Sequence, residues 1–474
     1  MIKQDNRRTK VVKSFEGKAL TAVDAGQVSR QDVDVIRLVY ESKSVPAIRE
    51  FIKTMESTRG STNRLPVMLD VASWTQGIVA GLAQPREVSF GERVVLAPNN
   101  LAGAINVKAA NWERLFKADA KVFIGAGNVA LRTLSVGPDK AELEVTQGGT
   151  IYPEMDIIVP ETYRFQERQQ VTPEELRPLI EDGVDYLIVP GHWNSETLKE
   201  FAARLRKDHG DHAPWIILKV DSGDVYERLS SVIQDVDGVL ISRRELALAL
   251  SPVNVPMITK EIIQLCNEQA KVVLTASEML ASMRRNVTPT RAEVSDVANA
   301  VIDGTDAVML SEEVANGRYG AKAVEVMSRI ITDIEARATN VQLNWVKRAP
   351  KVANEMDAIA YHALRTAERI KAKAIVTITK AGNTARKLAS FRAPVPIIAV
   401  TFSPAVMQRL SLVRGVECML LDVAPNLDEV LPVVNDQLVR ESWLKPGDQV
   451  IFVAISLSPV GRESSNLFTV QTLS

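Results

Sequence analysis

The chain has 474 residues, 46% hydrophobic and 24% charged, which is ordinary globular usage; at ~150 residues per domain it predicts about three domains. Lys plus Arg total 57 against 58 for Asp plus Glu, and a net charge of -1 gives no general electrostatic pull toward nucleic acid or an anionic membrane. Two cysteines, Cys266 and Cys418, exclude a disulfide framework or a zinc ribbon. No run approaches the ~20 apolar residues of a bilayer span, and the polar start MIKQDNRRTK lacks a signal-peptide core, so a cytoplasmic protein is expected.

VVKSF from Val11, VDVIRLVY from Val33 and LPVMLDV from Leu65 read as the first three strands. After Asp70 the pattern changes: ERVVL, AKVFIGAG, VALRTLSV and AELEVTQGG are strand-like pieces among glycines, a small all-β insertion running to about Pro160. VTPEELRPLIEDG restores the helical period. VDYLIVP from Val184, WIILKVD from Trp215, DGVLIS from Asp237, KVVLTAS from Lys271 and DAVMLS from Asp306 then complete a set of eight strands. Their nearly continuous apolar runs suit parallel strands buried on both faces, with SETLKEFAARLRK, PMITKEIIQLCNEQ and similar helices between them. Eight such units predict a closed (β/α)8 barrel, whose functional groups gather at the carboxyl ends of the strands. A helix ending near Thr339 and a linker at NVQLNWVKRAP, around residue 345, lead to a second series. KAIVTIT, VPIIAVT, VECMLLD and DQVIFVAI, alternating with helices, predict a doubly wound α/β domain. The predicted division is 1–70 with 161–343 for the barrel, 71–160 for the insertion and 344–474 for the last domain.

Strand five ends in Lys219-Val220-Asp221, a cation and a carboxylate two residues apart on one side of a strand. Strand six is read as ending in Arg243, Arg244 and Glu245, and strand seven in Ser277 and Glu278; strand two carries Arg37, with Glu41 just beyond. Asp221 and Glu245, on neighbouring strand ends, suit one hard divalent cation such as Mg²⁺. Lys219 and Arg37 beside it suit a phosphate or carboxylate ligand. Taken singly, each of these residues reads equally well as a solvated charge or an ordinary ion pair. The histidines (His192, His209, His212, His362) are scattered and form no metal set, and Met279, Met283 and Met309 fit core packing. In the last domain, Thr379-Lys380-Ala381-Gly382-Asn383-Thr384 joins a strand to a helix and has the makings of an anion cradle. A plain helix cap by Asn383 or Thr384 explains the same residues equally well.

Residues 275–317, TASEMLASMRRNVTPTRAEVSDVANAVIDGTDAVMLSEEVANG, closely follow the stretch around the PTRAE-SDVANAV signature of the pyruvate kinases. The chain resembles that family over nearly its whole length, from RRTKVV to KPGDQVIFVAIS. The resemblance implies a (β/α)8 barrel, a β-barrel lid domain inserted after strand three and a regulatory-type C-terminal α/β domain. It also implies a homo-oligomer (tetramer or dimer) that transfers the phosphoryl group of phosphoenolpyruvate to ADP with Mg²⁺ (or Mn²⁺) and commonly K⁺. A phosphorylated effector, held by Thr379, Lys380, Gly382, Asn383 and Thr384, would regulate it.

Position by position, Lys219 stands at the lysine that stabilises the transferring phosphoryl group and the enolate. Asp221 stands where the family has a metal-binding Glu, and Glu245 where it has a metal-binding Asp. Ser277 replaces the active-site Thr, Arg37 matches the phosphate-contacting arginine, and Asp70 matches one K⁺ ligand. Other positions depart from the family. Val39, Glu41 and Val71 replace K⁺ ligands, and Ala72-Ser73-Trp74-Thr75-Gln76-Gly77 replaces a segment rich in Lys, Gly and Arg. Gly125-Ala126-Gly127 replaces a paired Asp-Asp-Gly in the lid, Val189-Pro190-Gly191-His192-Trp193 lacks the arginine of strand four, and Arg244 takes a glycine position. The retained groups are those for phosphoenolpyruvate and the divalent ion; the missing ones serve the nucleotide and K⁺. Three functions are consistent with this: a divergent pyruvate kinase independent of K⁺, a non-catalytic homologue that binds a metabolite or partner, and a metal-dependent keto-acid decarboxylase. Glu41 and Arg244 are candidates for a new ion pair.

Overall fold

A strand buried on both faces carries apolar residues at every position, and all eight predicted barrel strands form where such runs lie. They span Lys10–Phe15, Val35–Val39, Val67–Asp70, Val184–Val189, Trp215–Val220, Gly238–Ser242, Val272–Ala276 and Ala307–Leu310. The computed structural model of the chain describes residues 7–15, 33–40, 44–59, 64–72, 80–99, 101–107, 116–125, 127, 129–153, 155, 157–159, 171–315, 317–338, 354–393, 395–421, 427–454 and 467–473. Glu41, residues 73–77 and the predicted linker around residue 345 lie outside these. The eight strands, numbered one to eight here, pair in parallel in sequence order and close with strand eight against strand one.

Side-chain alternation divides each strand between two environments. Outward residues such as Leu38, Leu69, Leu187, Leu218 and Ile241 pack under the surrounding helices, while Val12, Val35, Met68, Tyr186, Ile188, Ile217, Leu240 and Leu274 fill the barrel. The same inward period places Ser14, Arg37, Asp70, Lys219 and Ser242 one step further along, so the filling turns polar at the carboxyl end. Met279 and Met283 are core residues beneath the outer helices, and Met309 lies in the barrel filling.

Among the described residues the insertion after strand three contains nine short strands in a seven-stranded near-barrel sheet and a two-stranded ribbon. Val94, Leu96, Val122, Leu131, Leu143 and Val145 form its separate core. The four predicted pieces are its longest strands; those at Ala80–Gly81, Arg86–Val88, Ile105–Val107, Gly149–Ile151 and Ile157–Ile158 are too short to show an alternation.

The last unit is a five-stranded sheet in the order Val416–Leu420, Ile397–Thr401, Ala374–Ile378, Gln449–Ala454, Leu467–Thr472. Four strands are parallel, and Leu467–Thr472, beyond the four predicted strands, is an antiparallel edge. The chain switches direction across the sheet between Ala374–Ile378 and Gln449–Ala454, the place where such folds open a crevice at the strand ends. This unit docks beneath the amino end of the barrel. The barrel filling is continuous with Leu388, Val406, Leu410 and Val413, and the Tyr186 hydroxyl donates to Gln408 O and Arg409 O at 2.9 and 2.8 Å. Arg392 pairs with Asp306 at 2.8 Å and Arg414 with Glu335 at 3.2 Å around the rim. Among the described residues no helix is long and apolar enough to cross a membrane.

Candidate active site

The polar layer at the carboxyl end of the barrel brings most of the predicted residues together. Arg37 on strand two lies beside Ser14 on strand one in the ladder, and its Nη1 donates to Ser14 Oγ at 2.5 Å. Its Nε and Nη2 donate to Asp70 Oδ2 at 2.8 and 2.5 Å, and Asp70 Oδ1 accepts the Ala72 N–H at 2.9 Å. Arg37 is 6% exposed and Asp70 fully buried, so two residues expected to face a phosphate and a monovalent cation neutralise each other inside the barrel.

Lys219 points inward from strand five, 5% exposed, with Nζ 3.8 Å from Glu245 Oε1. Glu245 is not on a strand end as predicted. Strand six stops at Ser242 and a helix, Arg243–Ala249, begins without an intervening loop, so Arg243, Arg244 and Glu245 form its first turn. Arg-Arg-Glu-Leu-Ala is good helix-forming sequence, which explains the early start. Glu245 Oε2 accepts the Ser242 hydroxyl at 2.7 Å, and Arg244 Nη2 lies 3.8 Å from Oε1. Burial acts to raise the Glu245 carboxyl, but Lys219, Arg244 and the Ser242 hydroxyl outweigh it and hold the group below the usual carboxylate range. Glu245 is therefore anionic.

Asp221 follows the last residue of strand five and is 5% exposed. Gly191, just past strand four, lies against it: a Cβ there would sit 2.2 Å from Lys219 O, 2.9 Å from Val225 Cγ2 and 3.2 Å from Asp221 Oδ1. The sequence reading treated Val189–Trp193 as a degraded motif. In the fold its glycine is what lets strand four's loop approach the Lys219–Asp221 backbone, and Arg228 holds that loop by donating to Trp193 O at 2.8 Å and to Gly191 O. Asp221, just past strand five, and Glu245, in the first turn of the helix after strand six, supply hard oxygen donors, and Glu245 is held in its charged form. That donor set fits Mg²⁺ or Mn²⁺, which completes its shell with water and substrate oxygens. Among the described residues no group of three or more His, Cys, Asp and Glu side chains is placed to hold a metal ion.

Ser277, half-buried, stands at the carboxyl end of strand seven. Arg244 is engaged by Glu312, which also binds Arg284 at 2.5 Å; its suggested partner Glu41 is outside the described residues. In the inserted domain, Gly125 and Gly127 have φ of 62° and 88°, and Cβ atoms on them would meet Met155 Sδ at 2.6 Å and Leu248 Cδ2 at 3.0 Å. Glycine in place of a carboxylate at position 125 therefore suits its positive φ and its close approach to Met155, and Gly127 lies against the Arg243–Ala249 helix.

The C-terminal loop lies at the switch point. Thr379 Oγ1 accepts the Gly382 N–H at 2.9 Å, Gly382 has φ 87°, and the helix Asn383–Ser390 starts immediately after it. Gly382 is the cap, so the alternative in which Asn383 or Thr384 caps the helix is corrected. Thr384 is buried in the first turn, and the Asn383 Oδ1 accepts from Arg386 Nη2 at 2.8 Å instead. A glycine cap brings no side-chain acceptor to the helix start, and Lys380 is exposed beside it.

The chain matches the family described as pyruvate kinase, barrel domain, over residues 6–324 and pyruvate kinase, alpha/beta domain, over residues 357–471. It is 30% identical over 482 residues to a pyruvate kinase of Geobacillus stearothermophilus, covering 99% of this chain and 81% of that one. Identity to a pyruvate kinase of Sporosarcina psychrophila is 36% over 275 residues, 58% of this chain and 47% of the relative. A crystal structure of a pyruvate kinase from Cryptosporidium parvum aligns with a TM-score of 0.79 at 25% identity, covering 99% of this chain and 96% of that one.

Proposed function

The chain belongs to the pyruvate kinase family, and from that premise we propose that it transfers a phosphoryl group between phosphoenolpyruvate and ADP, giving pyruvate and ATP, at the carboxyl end of its barrel. The observation that carries this reading is the convergence of a buried ammonium, Lys219, with Glu245 at 3.8 Å and with Asp221 two residues further along. Transfer develops negative charge on the phosphoryl oxygens and on the enolate oxygen that is left. A fixed cation in a water-poor site stabilises such charge without reorganising at the moment of reaction. Mg²⁺ or Mn²⁺ bound by Asp221 and Glu245 would neutralise phosphate oxygens and orient them. Ser277 presents its hydroxyl at the same mouth. Arg37 reaches the phosphate side of the layer, and Asp70, a monovalent-ion ligand in the family resemblance, already faces the Arg37 guanidinium, which favours turnover without K⁺. A cytoplasmic homo-oligomer, tetramer or dimer, completes the reading. The loop of Thr379, Lys380, Gly382, Asn383 and Thr384 is its site for a phosphorylated effector, supported by the glycine-capped helix start at the switch point.

A coupled assay with phosphoenolpyruvate, ADP and Mg²⁺ or Mn²⁺ tests this. We expect turnover equal with and without K⁺, and a loss of about 10²–10³-fold in Lys219→Ala. The Arg37–Asp70 pair also favours a second reading, a homologue that binds metabolites without turnover, because the arginine is already engaged. No product at high enzyme concentration, together with ligand-induced thermal shifts, would replace the first reading with the second. For the effector loop, Lys380→Ala should weaken binding of a sugar phosphate without altering the fold, and equal binding would remove that assignment.

A further inference from the structure

Beyond strand seven the backbone adopts a conformation that side chains disfavour. Ser277 and Glu278 have φ of 75° and 56°, two successive non-glycine residues in the left-handed region. Such a pair persists only where the surroundings over-determine it. Much of that determination comes from one side chain. Arg243, in the first turn after strand six, reaches across to strand seven, where its Nε donates to Ala276 O at 3.2 Å and its Nη2 to Ser277 O at 2.7 Å. The same Nη2 lies 2.9 Å from Met279 Sδ, so the guanidinium brackets the turn at both ends. Nη1 is fixed by Asp296 Oδ1 at 2.7 Å, from the helix Arg291–Asp303. On the far side Glu313 accepts the N–H groups of Leu280 at 3.2 Å and Ser311 at 2.9 Å, which ties the end of the turn to strand eight. A planar guanidinium with donors on three sides suits two carbonyls and a carboxylate at once, whereas an ammonium does not reproduce that fork.

We propose that Arg243 is a positioning residue for phosphoryl transfer: by gripping the Ala276 and Ser277 carbonyls it fixes the left-handed turn from which Ser277 presents its hydroxyl. This rests on the reading of the site as a phosphotransferase. The Arg243–Asp296 pair then links the helix after strand seven to the start of the helix after strand six, and the turn between them cannot relax while both contacts hold.

The test uses the full-length chain and its Arg243→Met, Arg243→Lys, Asp296→Asn and Ser277→Ala variants. Displacing a reacting group by a fraction of an ångström costs on the order of 10–100-fold, so Arg243→Met should lower kcat by about that factor with KM for phosphoenolpyruvate within about 3-fold. Arg243→Lys should recover part of the loss. In the Ser277→Ala background, Arg243→Met should cost less than about 2-fold, because the hydroxyl it positions is gone. Losses that multiply in the double variant would overturn the proposal. Amide hydrogen exchange over residues 276–280 reads the clamp without activity: we expect about 10-fold faster exchange in Arg243→Met, and unchanged exchange would sink the clamp. Should Arg243→Met not fold, Asp296→Asn, which loosens the anchor but keeps the guanidinium, should shift kcat and exchange in the same direction; no shift in either would overturn the proposal. If the parent protein itself shows no turnover, the phosphotransferase reading fails, while the exchange measurement still decides whether Arg243 holds the turn.

Discussion

Tyr186→Phe deletes one oxygen atom at the junction of two units, and the structure sets the size of its effect. The ring belongs to barrel strand four and is fully buried. Its hydroxyl donates toward Gln408 O at 2.9 Å and Arg409 O at 2.8 Å, both in the last turn of the helix Pro404–Leu410. One phenol has one proton, so the two carbonyls share it. Gln408 O retains the Ser411 N–H at 3.2 Å, which makes the Arg409 carbonyl the group that loses most. A net hydrogen bond is worth about 1 kcal/mol and a stranded buried group costs about 1–3 kcal/mol, so the variant should lose about 1–3 kcal/mol. The ring itself stays, and no cavity opens. Urea unfolding of the full-length protein, followed by circular dichroism, measures the change. Turnover at 25 °C should be nearly unaffected, because the proposed site lies at the other end of the barrel. A loss below about 0.5 kcal/mol would refute the reasoning, since it would mean that these groups find equivalent partners without the phenol.

Gly191→Ala places a methyl group 2.2 Å from Lys219 O, so the end of strand five must shift; turnover should fall at least about 10-fold, and a fully active variant would contradict the packing described for Asp221. Arg386 joins Asn383 of the effector loop at 2.8 Å to Asp237 at 3.4 Å, and its guanidinium lies 4.6 Å from the centre of the Trp215 ring at the foot of strand five. Arg386→Met should reduce the effector's influence on phosphoenolpyruvate affinity by about 5-fold, and unchanged coupling in a binding assay would refute that connection. Burial pushes the thiol of the half-buried Cys418 up to about 12 and raises the fully buried Cys266 as well, so at about pH 8 iodoacetamide should leave Cys266 unmodified until the protein is unfolded and should modify Cys418 only slowly. Because the folded state holds these protons to higher pH than the unfolded chain, their contribution to stability is complete at neutral pH and is lost as pH rises through the folded value; alkaline denaturation of Cys418→Ser should be correspondingly less steep.

The barrel strands were legible because burial on both faces leaves an unbroken apolar run, a signal that needs no partner to be known. Strands such as Ala80–Gly81 and Ile157–Ile158 exist only through their ladders and leave no period in the sequence. The helix at Arg243–Ala249 was hidden for a different reason: with no loop before it, its charged first turn looked like the tip of strand six. At the site, the identities of Lys219, Asp221 and Glu245 could be read from alternation and strand order. Their company could not. Arg37 meets Asp70 across 33 residues and Arg244 meets Glu312 across 68, distances that only barrel closure sets. Gly191 and Gly382 likewise look like ordinary loop glycines until the neighbouring backbone is in place.

The continuity between the barrel filling and the C-terminal sheet means that the barrel has no floor of its own. Tyr186, Trp215 and the inward residues near the strand starts would become a greasy, open well if translation stopped after residue 338, with Asp306 and Glu335 stripped of the arginines that match them. A fragment cut there should be chaperone-bound or insoluble rather than a smaller working version of the protein. Gene fusions and truncations that treat everything after residue 338 as a detachable accessory would remove a structural wall.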